Sequence, residues 1–505
     1  MNEIRIVDTT LRDGNASLWG EKMNTAMMLE AAPLMNRAGF AAVDATAVSH
    51  FEYAVRYLRE NPWKRMRLLS KIVTSAPLGM MMLGTSLNLF RYVAGPIMGT
   101  WMERIKANGI SRVQIMESSN NMGDMAETAR YAKEAGIEVG VALVFTQSEV
   151  HTDEYYAQRT RDALRLEPDM IYLKDPGGLL TPERTRTIVP VILRELGGCP
   201  FELHSHCTTG MAPLCYLEAA RLGVRTFHTA VSPLANGPSQ PATESFLANV
   251  RRLGLESSAD EAAVAAIAEH FRAVAKAEDL PLGMPVEFDA FQFEHQIPGG
   301  VISNLKRQLA QLGVQHRLPE IFEETVRVRK ELGYPIMVTP FSQFVVTQAT
   351  VNVIQNERYR TISDEVIRFA LGHYGKQVRP VDANLLDRIG SLPRTKDLLT
   401  WDPPRTSIED LRRQVGAGLS DEELLLLALV SEDDLNAMRA AGPIKTRYSA
   451  SNRSLAAFIR ELVKQENATF ISIQREDFSL VLRRSANGDF EQAGSPTRAG
   501  ATSAN

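Results

Sequence analysis

Short apolar and β-branched runs recur through the first 235 positions, at 4–8, 42–47, 78–83, 112–116, 139–145, 170–174, 201–206 and 226–231. The stretches between them carry helical spacing and end in breakers. One runs over 24–38 and stops at Gly39; another runs over 181–196 and stops at Gly197-Gly198. Eight strands alternating with helices predict an α/β fold, a (β/α)8 TIM barrel, which needs about 250 residues. An open doubly wound sheet is the competing arrangement. It is weakened because no Gly-x-Gly-x-x-Gly follows the first strand. In such a barrel the chemistry sits where strands end, at the C-terminal face.

From 260 to about 379 the pattern turns mainly helical, with breaks at Gly299-Gly300 and Gly333-Tyr334-Pro335. Trp401-Asp402-Pro403-Pro404 reads as a linker, followed by amphipathic pieces at 407–416 and 421–441. A helix over 455–464 and a hairpin from 469–474 and 479–482 are expected next. The expected division is a barrel domain at 1–258, a helical companion domain at 259–400 and a C-terminal helical and hairpin region at 401–485. A disordered tail is expected at 486–505, where Gly, Ser, Ala and Thr dominate. No repeat of solenoid period is present.

The chain has 505 residues, 44% apolar and 23% charged, values ordinary for a water-soluble protein of several domains. Lys plus Arg total 56 against 60 acidic residues, a net charge of −4, without the basic surplus of a nucleic-acid or acidic-membrane binder. The apolar stretch 78–101 contains Asn88, Arg91 and Pro96, so it reads as a buried strand plus loop rather than a membrane span. Cys199, Cys207 and Cys215 cannot all pair and match no zinc motif. With no basic-then-apolar leader at the start, a reduced, cytoplasmic location is expected.

Glu202-Leu203-His204-Ser205-His206 places two imidazoles at i and i+2 of a strand, facing one side. There they can share one divalent cation, or simply be two hydrogen-bonded polar residues at a strand end. The first strand runs into Asp8-Thr9-Thr10-Leu11-Arg12-Asp13-Gly14, and the sixth closes on Lys174 before Asp175-Pro176-Gly177-Gly178. A buried ammonium is costly and its pKa falls. The neutral amine can then capture CO2 as a carbamate, an anionic oxygen ligand. The alternative for Lys174 is a salt bridge with Asp13 or Asp175.

Those three motifs, in their order along the chain, resemble the carboxyltransferase domains of biotin-dependent carboxylases: pyruvate carboxylase, the oxaloacetate decarboxylase α subunit and the small-acid subunit of transcarboxylase. Asn61-Pro62-Trp63-Lys64-Arg65-Met66-Arg67, the stretch at 295–305 and the stretch at 333–345 are similar to the same family. The resemblance implies a metal, Zn2+, Mn2+ or Co2+, held by Asp13, carbamylated Lys174, His204 and His206. Asp13 and Lys174 would thereby be catalytic, with Arg12 as an oxyanion or substrate contact. It also implies Thr85, Arg91 and Ser239 on the substrate side. Carboxybiotin would deliver CO2 to a metal-polarised carbonyl compound.

Several matching positions depart from the pyruvate enzymes. Their substrate-side glutamine is absent from Asn15-Ala16-Ser17. Their carboxylate-binding arginine after strand three is replaced by a stretch reading Leu83-Gly84-Thr85-Ser86, with Arg91 nearby. Thr46-Ala47-Val48-Ser49-His50 stands where they carry a tryptophan-glycine-glycine loop, and Pro238 where they carry a proton-shuttling threonine. The expected reading is an intact metal shell with a rewritten acceptor pocket, for which pyruvate and oxaloacetate are poor substrates. No lysine lies in a biotin-accepting Met-Lys-Met setting. The biotin carboxyl carrier protein and the biotin carboxylase are therefore expected as separate subunits, with the C-terminal region either docking them or packing on its own barrel, and the chain itself a homo-oligomer. Two other functions compete: a biotin-independent Claisen-type lyase or synthase of the same barrel superfamily, and a non-catalytic scaffold for carboxylase subunits.

Overall fold

The computed structural model describes residues 3–88, 93–401, 404–416, 418–449, 462–463, 468–475, 478–485 and 490–492. Eight parallel strands close the expected barrel: β1 (Glu3–Asp8), β2 (Ala42–Ala47), β3 (Leu78–Leu83), β4 (Ile110–Met116), β5 (Glu138–Val144), β6 (Met170–Asp175), β7 (Phe201–Ser205) and β8 (Thr226–Thr229). Each pairs with the next, and β8 returns to β1 with Asp8 level with Thr229. Every residue of β2, β6, β7 and β8 is buried. That explains why the strands read as apolar runs: helices cover the outside of a parallel barrel and side chains fill its inside. A two-residue strand, β9 (Glu256–Ser257), adds to the start of β1.

The helices start where local chemistry dictates. Asn24 caps the Thr25–Arg37 helix by accepting from the Met27 amide. Thr181 caps Pro182–Glu195 from the Arg184 amide, with Pro182 in the first turn. The apolar stretch at 78–101 divides into β3 and the start of the Ile97–Ala107 helix. No helix among the described residues is long and apolar enough to cross a membrane.

Six helices of seven or more residues, from Gly299–Gln311 to Pro393–Leu399, build a second core around Leu305, Ile321, Phe341, Val345 and Leu385. The barrel mouth is tied to them: Arg329 donates through Nη2 to Thr146 Oγ1 and the Gln147 carbonyl, both at 3.0 Å. The expected amphipathic pieces are helices Ile408–Val415, Asp421–Leu429 and Glu432–Ala440. They fold back on the barrel's outer helices. Trp63 Nε1 donates to the Glu422 carbonyl, and Arg67 pairs with the Glu422 carboxylate at 2.8 Å. Residues up to 447, apart from 273–280, form one compact unit.

The other unit comprises 273–280 and the chain from 448. The expected hairpin is β10 (Phe470–Arg475) with β11 (Phe478–Arg484). A third strand, β12 (Phe490–Gln492), pairs with β11 inside the stretch expected as a disordered tail. The Arg484 guanidinium of β11 lies over the Phe490 ring, 4.7 Å from its centroid. The helix expected over 455–464 lies outside the described residues except at 462–463.

Candidate active site

At the C-terminal mouth the first strand does not run straight into a helix. It turns through a π-helical segment, Thr10–Gly14, which carries Arg12 and Asp13; such segments recur at functional sites. Asp8 builds the turn by accepting from Thr10 Oγ1 at 2.7 Å and the Thr10 amide at 3.2 Å. Gly14 is required there, since a Cβ would lie 2.8 Å from the Leu234 carbonyl oxygen. Asp13 is thereby aimed across the mouth and held by Arg12, whose Nη1 bonds Asp13 Oδ2 at 2.7 Å. The Nε of Arg12 bonds Asp44 Oδ2 on β2 at 2.7 Å. Burial opposes charge on Asp13, but Arg12, followed by His206, outweighs it and keeps the carboxyl well below its ordinary range.

Lys174 is the second-last residue of β6 and is 4% exposed. Its Nζ lies 3.7 Å from Asp13 Oδ2 and 3.3 Å from His204 Nε2. Burial pulls its pKa down to about 8, against the pull of Asp13. Asp175 is not its partner. That carboxylate accepts from the Leu179 and Leu180 amides and from Ser205 Oγ, shaping the loop after β6. Gly178 in this loop has φ +63° and passes so close to the His206 carbonyl, 2.6 Å from a notional Cβ, that no side chain fits.

The two imidazoles of β7 and its end present Nε2 to the same point. His204 Nε2 lies 3.2 Å and His206 Nε2 3.6 Å from Asp13 Oδ2, and the two nitrogens are 3.1 Å apart. Their other nitrogens assign the tautomers. Glu202 accepts from His228 Nε2 at 2.8 Å, which leaves His228 Nδ1 bare to accept from His204 Nδ1 at 3.1 Å. His206 Nδ1 donates to the Pro238 carbonyl at 2.6 Å. Both Nε2 lone pairs therefore face Asp13. Burial, with Lys174 beside it, holds His204 well below the ordinary histidine range, and burial lowers His228 too. The far end of the relay is anchored by Arg112, which pairs with Glu202 inside the barrel.

This donor set suits a divalent cation. Ligands about 2.0–2.3 Å from a tetrahedral ion stand about 3.3–3.7 Å from one another, and the separations among Asp13 Oδ2, His204 Nε2 and His206 Nε2 run from 3.1 to 3.6 Å, with Lys174 Nζ 3.7 Å from the first and 3.3 Å from the second. Asp13, His204 and His206 alone bring three ligand atoms within 4.8 Å.

Sequence reasoning passed over the groups that orient this set: His228, the relay role of Glu202, and Gln240. Gln240 Nε2 lies 3.1 Å from His206 Nε2, and its Oε1 accepts from Thr9 Oγ1 at 2.8 Å. A histidine within the short apolar run of β8 was the one signal that pointed to them. The expected substrate-side residues are dispersed. Ser239 is buried, with its hydroxyl donated to the Leu234 carbonyl. Thr85 lines a cleft of about 480 Å³ with Glu117, Asp124 and Arg405, away from the four converging groups. Arg91 lies outside the described residues. Arg12 is ion-paired with both Asp13 and Asp44.

Comparison with known proteins agrees with the geometry. A family model described as HMGL-like matches residues 106–270, and one described as a conserved carboxylase domain matches 293–471. A pyruvate carboxylase subunit from Methanocaldococcus jannaschii is 35% identical over 84% of this chain and 76% of its own. The methylmalonyl-CoA carboxyltransferase 5S subunit of Propionibacterium freudenreichii is 30% identical over 85% of this chain and 86% of its own. The 2-oxoglutarate carboxylase large subunit of Hydrogenobacter thermophilus is 30% identical over 85% and 67%. The carboxyl transferase domain of Rhizobium etli pyruvate carboxylase, solved with pyruvate, shares the fold at a TM-score of 0.80 and 20% identity over 99% of this chain and 89% of its own. With a closed barrel, a helical companion and this level of identity, the chain belongs to the carboxyltransferase family of pyruvate-carboxylase-like, biotin-dependent carboxylases.

Proposed function

We propose that this carboxyltransferase works as one subunit of a multi-subunit biotin enzyme, moving a carboxyl group between carboxybiotin on a separate carrier protein and a small carbonyl acceptor. A biotin carboxylase subunit charges the carrier. The observation that carries the reading is the convergence of Asp13, Lys174, His204 and His206 on one point at the barrel mouth. A divalent cation held by this set, Zn2+, Mn2+ or Co2+, supplies Lewis-acid polarisation of the acceptor's carbonyl.

The chain's own groups prepare for that. Lys174, lowered by burial to about 8, has a substantial neutral fraction near physiological pH. Its Nζ attacks CO2, forming an N–C bond and releasing one proton, which leaves a carbamate oxygen among the other ligands. Arg12 holds Asp13 in place, and Glu202 through His228 keeps His204 Nε2 free of a proton. Burial of all four side chains keeps bulk water from the reacting carbon.

The test is label transfer. The carrier, carboxylated with labelled bicarbonate by its carboxylase, is mixed with this chain and candidate acceptors. Label should pass to the acceptor only when this chain is present, and His206→Ala should stop it. Transfer at an undiminished rate with His206→Ala would contradict the reading.

A further inference from the structure

A cleft of about 740 Å³ lies between the loop after β5 and the companion helix Leu318–Glu331. Gln147, Ser148, His151, Arg184, Arg329 and Lys330 are among its lining residues, and none of the four converging groups of the active site is. Arg329 is 4% exposed, yet every bond it makes is to an uncharged oxygen: Nε to the Pro335 carbonyl at 3.2 Å, and Nη2 to Thr146 Oγ1 and the Gln147 carbonyl. That uses three of its five N–H donors. The two on Nη1 have no hydrogen-bond partner, and the guanidinium pairs with no carboxylate, among the described residues. Burial accordingly pulls its pKa down to about 10, opposed by the Tyr334 and Tyr156 phenols. An arginine buried this far ordinarily stands against an anion. The imidazole of His151 lines the same cleft at 3% exposure. Its Nδ1 is engaged by Ser148 Oγ at 2.7 Å, and its Nε2 has no partner among the described residues. Burial, then the charge of Arg329, holds the ring down to about 3, so it is neutral.

The acids around this cleft are mostly taken. Asp153 pairs with Arg184, and Glu149 with Arg379. Glu294 remains against Arg329 and Lys330, so the lining carries a surplus of positive charge. The Ser148 hydroxyl accepts from the Val150 amide and can give its own proton to His151 Nδ1, which puts the ring N–H on Nε2. A cation would face Arg329, and a neutral ligand would leave its charge uncompensated. We propose that this cleft binds a small-molecule oxyanion, a carboxylate or a phosphate, with Arg329 Nη1 and Lys330 supplying the charge and His151 a neutral donor. Binding there needs neither the metal nor the carrier. The ligand would sit between the companion helix and the loop that Arg329 pins to it.

The experiment titrates the full chain with inorganic phosphate and with succinate at fixed ionic strength, read by calorimetry and by thermal shift. At least one of the two should bind saturably and raise Tm with concentration, as mass action requires. Tighter phosphate binding would mark the natural ligand as a phosphate, and tighter succinate binding as a carboxylate; either supports the proposal. Lys330→Gln, at an exposed position, should melt as the wild type does without anion and bind about 10-fold more weakly. Arg329→Gln should lose about 100-fold or more, since its charge is the buried one. Should Arg329→Gln fail to fold, Lys330→Gln decides. Lys306→Gln, an exposed lysine outside the cleft, should bind as the wild type does and controls for general charge. Bound anion should also slow hydrogen exchange at 147–153, which places it at this cleft rather than at the metal site. Absence of binding by both anions at about 10 mM, wild-type affinity in Lys330→Gln, or an equal loss in Lys306→Gln overturns the proposal.

Discussion

Lys174→Arg and Lys174→Ala should each lose carboxyl transfer by about 10³-fold or more, since removing one anionic ligand forfeits several kcal/mol of charge stabilisation at the metal. Arginine keeps the positive charge but cannot shed its proton at working pH, so it cannot form the carbamate. The pH dependence has a definite sign. Only the neutral amine reacts with CO2, and the buried Lys174 reaches half deprotonation at about 8. Activation of CO2-depleted enzyme at a fixed concentration of dissolved CO2, followed by the transfer assay at a single pH, should therefore quicken from about pH 6.5 toward about 8.5, as the neutral fraction of the amine grows. A Lys174→Arg variant that retains the wild-type rate would remove the carbamate from the account.

The second large effect lies beneath the mouth. Glu202→Ala should cost about 3–5 kcal/mol, because it leaves Arg112 as an unpaired buried charge. Arg112 and Glu202 are each about 5% exposed and both face the barrel interior. Denaturant melts give the stability. The near-isosteric Glu202→Gln keeps an oxygen for one donor but loses the charge that fixes the His228 tautomer. It should cost part of that stability, because Arg112 keeps an oxygen acceptor but loses its opposite charge, and weaken metal affinity about 10- to 100-fold, the usual cost of disturbing a group behind a metal ligand. Metal affinity unchanged in Glu202→Gln would mean that His204 is oriented without the relay.

Much of this architecture was legible in sequence because a parallel barrel buries both faces of each strand. The eight apolar runs coincide with the eight strands to within about two residues. His204 and His206 were legible because i and i+2 on a strand share a face, and Asp13 and Lys174 because they follow or end strands. What hid were groups whose role depends on closure of the barrel. His228 meets His204 only because β8 pairs beside β7. Asp44 on β2 meets Arg12 only because a π-turn swings Arg12 back over the strand. Nothing in Val48-Ser49-His50 signals that its imidazole is buried with no hydrogen-bond partner among the described residues. Of the C-terminal pieces expected to be amphipathic, Ile408–Val415 has that character, whereas Asp421–Leu429 buries Leu424, Leu425, Leu426 and Leu429 on most of its surface. Trp63 and Arg67 of the Pro62–Ser70 helix bond Glu422 of Asp421–Leu429, contacts that no local pattern specifies.

The central claim is that one divalent cation sits among Asp13, Lys174, His204 and His206. Metal content of the purified chain by inductively coupled plasma mass spectrometry tests it most directly, for the wild type, Asp13→Asn and His206→Ala, with circular dichroism to verify folding. The account predicts about one equivalent of zinc, manganese or cobalt per wild-type chain, and loss of most of it in both folded variants. A folded Asp13→Asn or His206→Ala chain that retains the full wild-type metal content would contradict it.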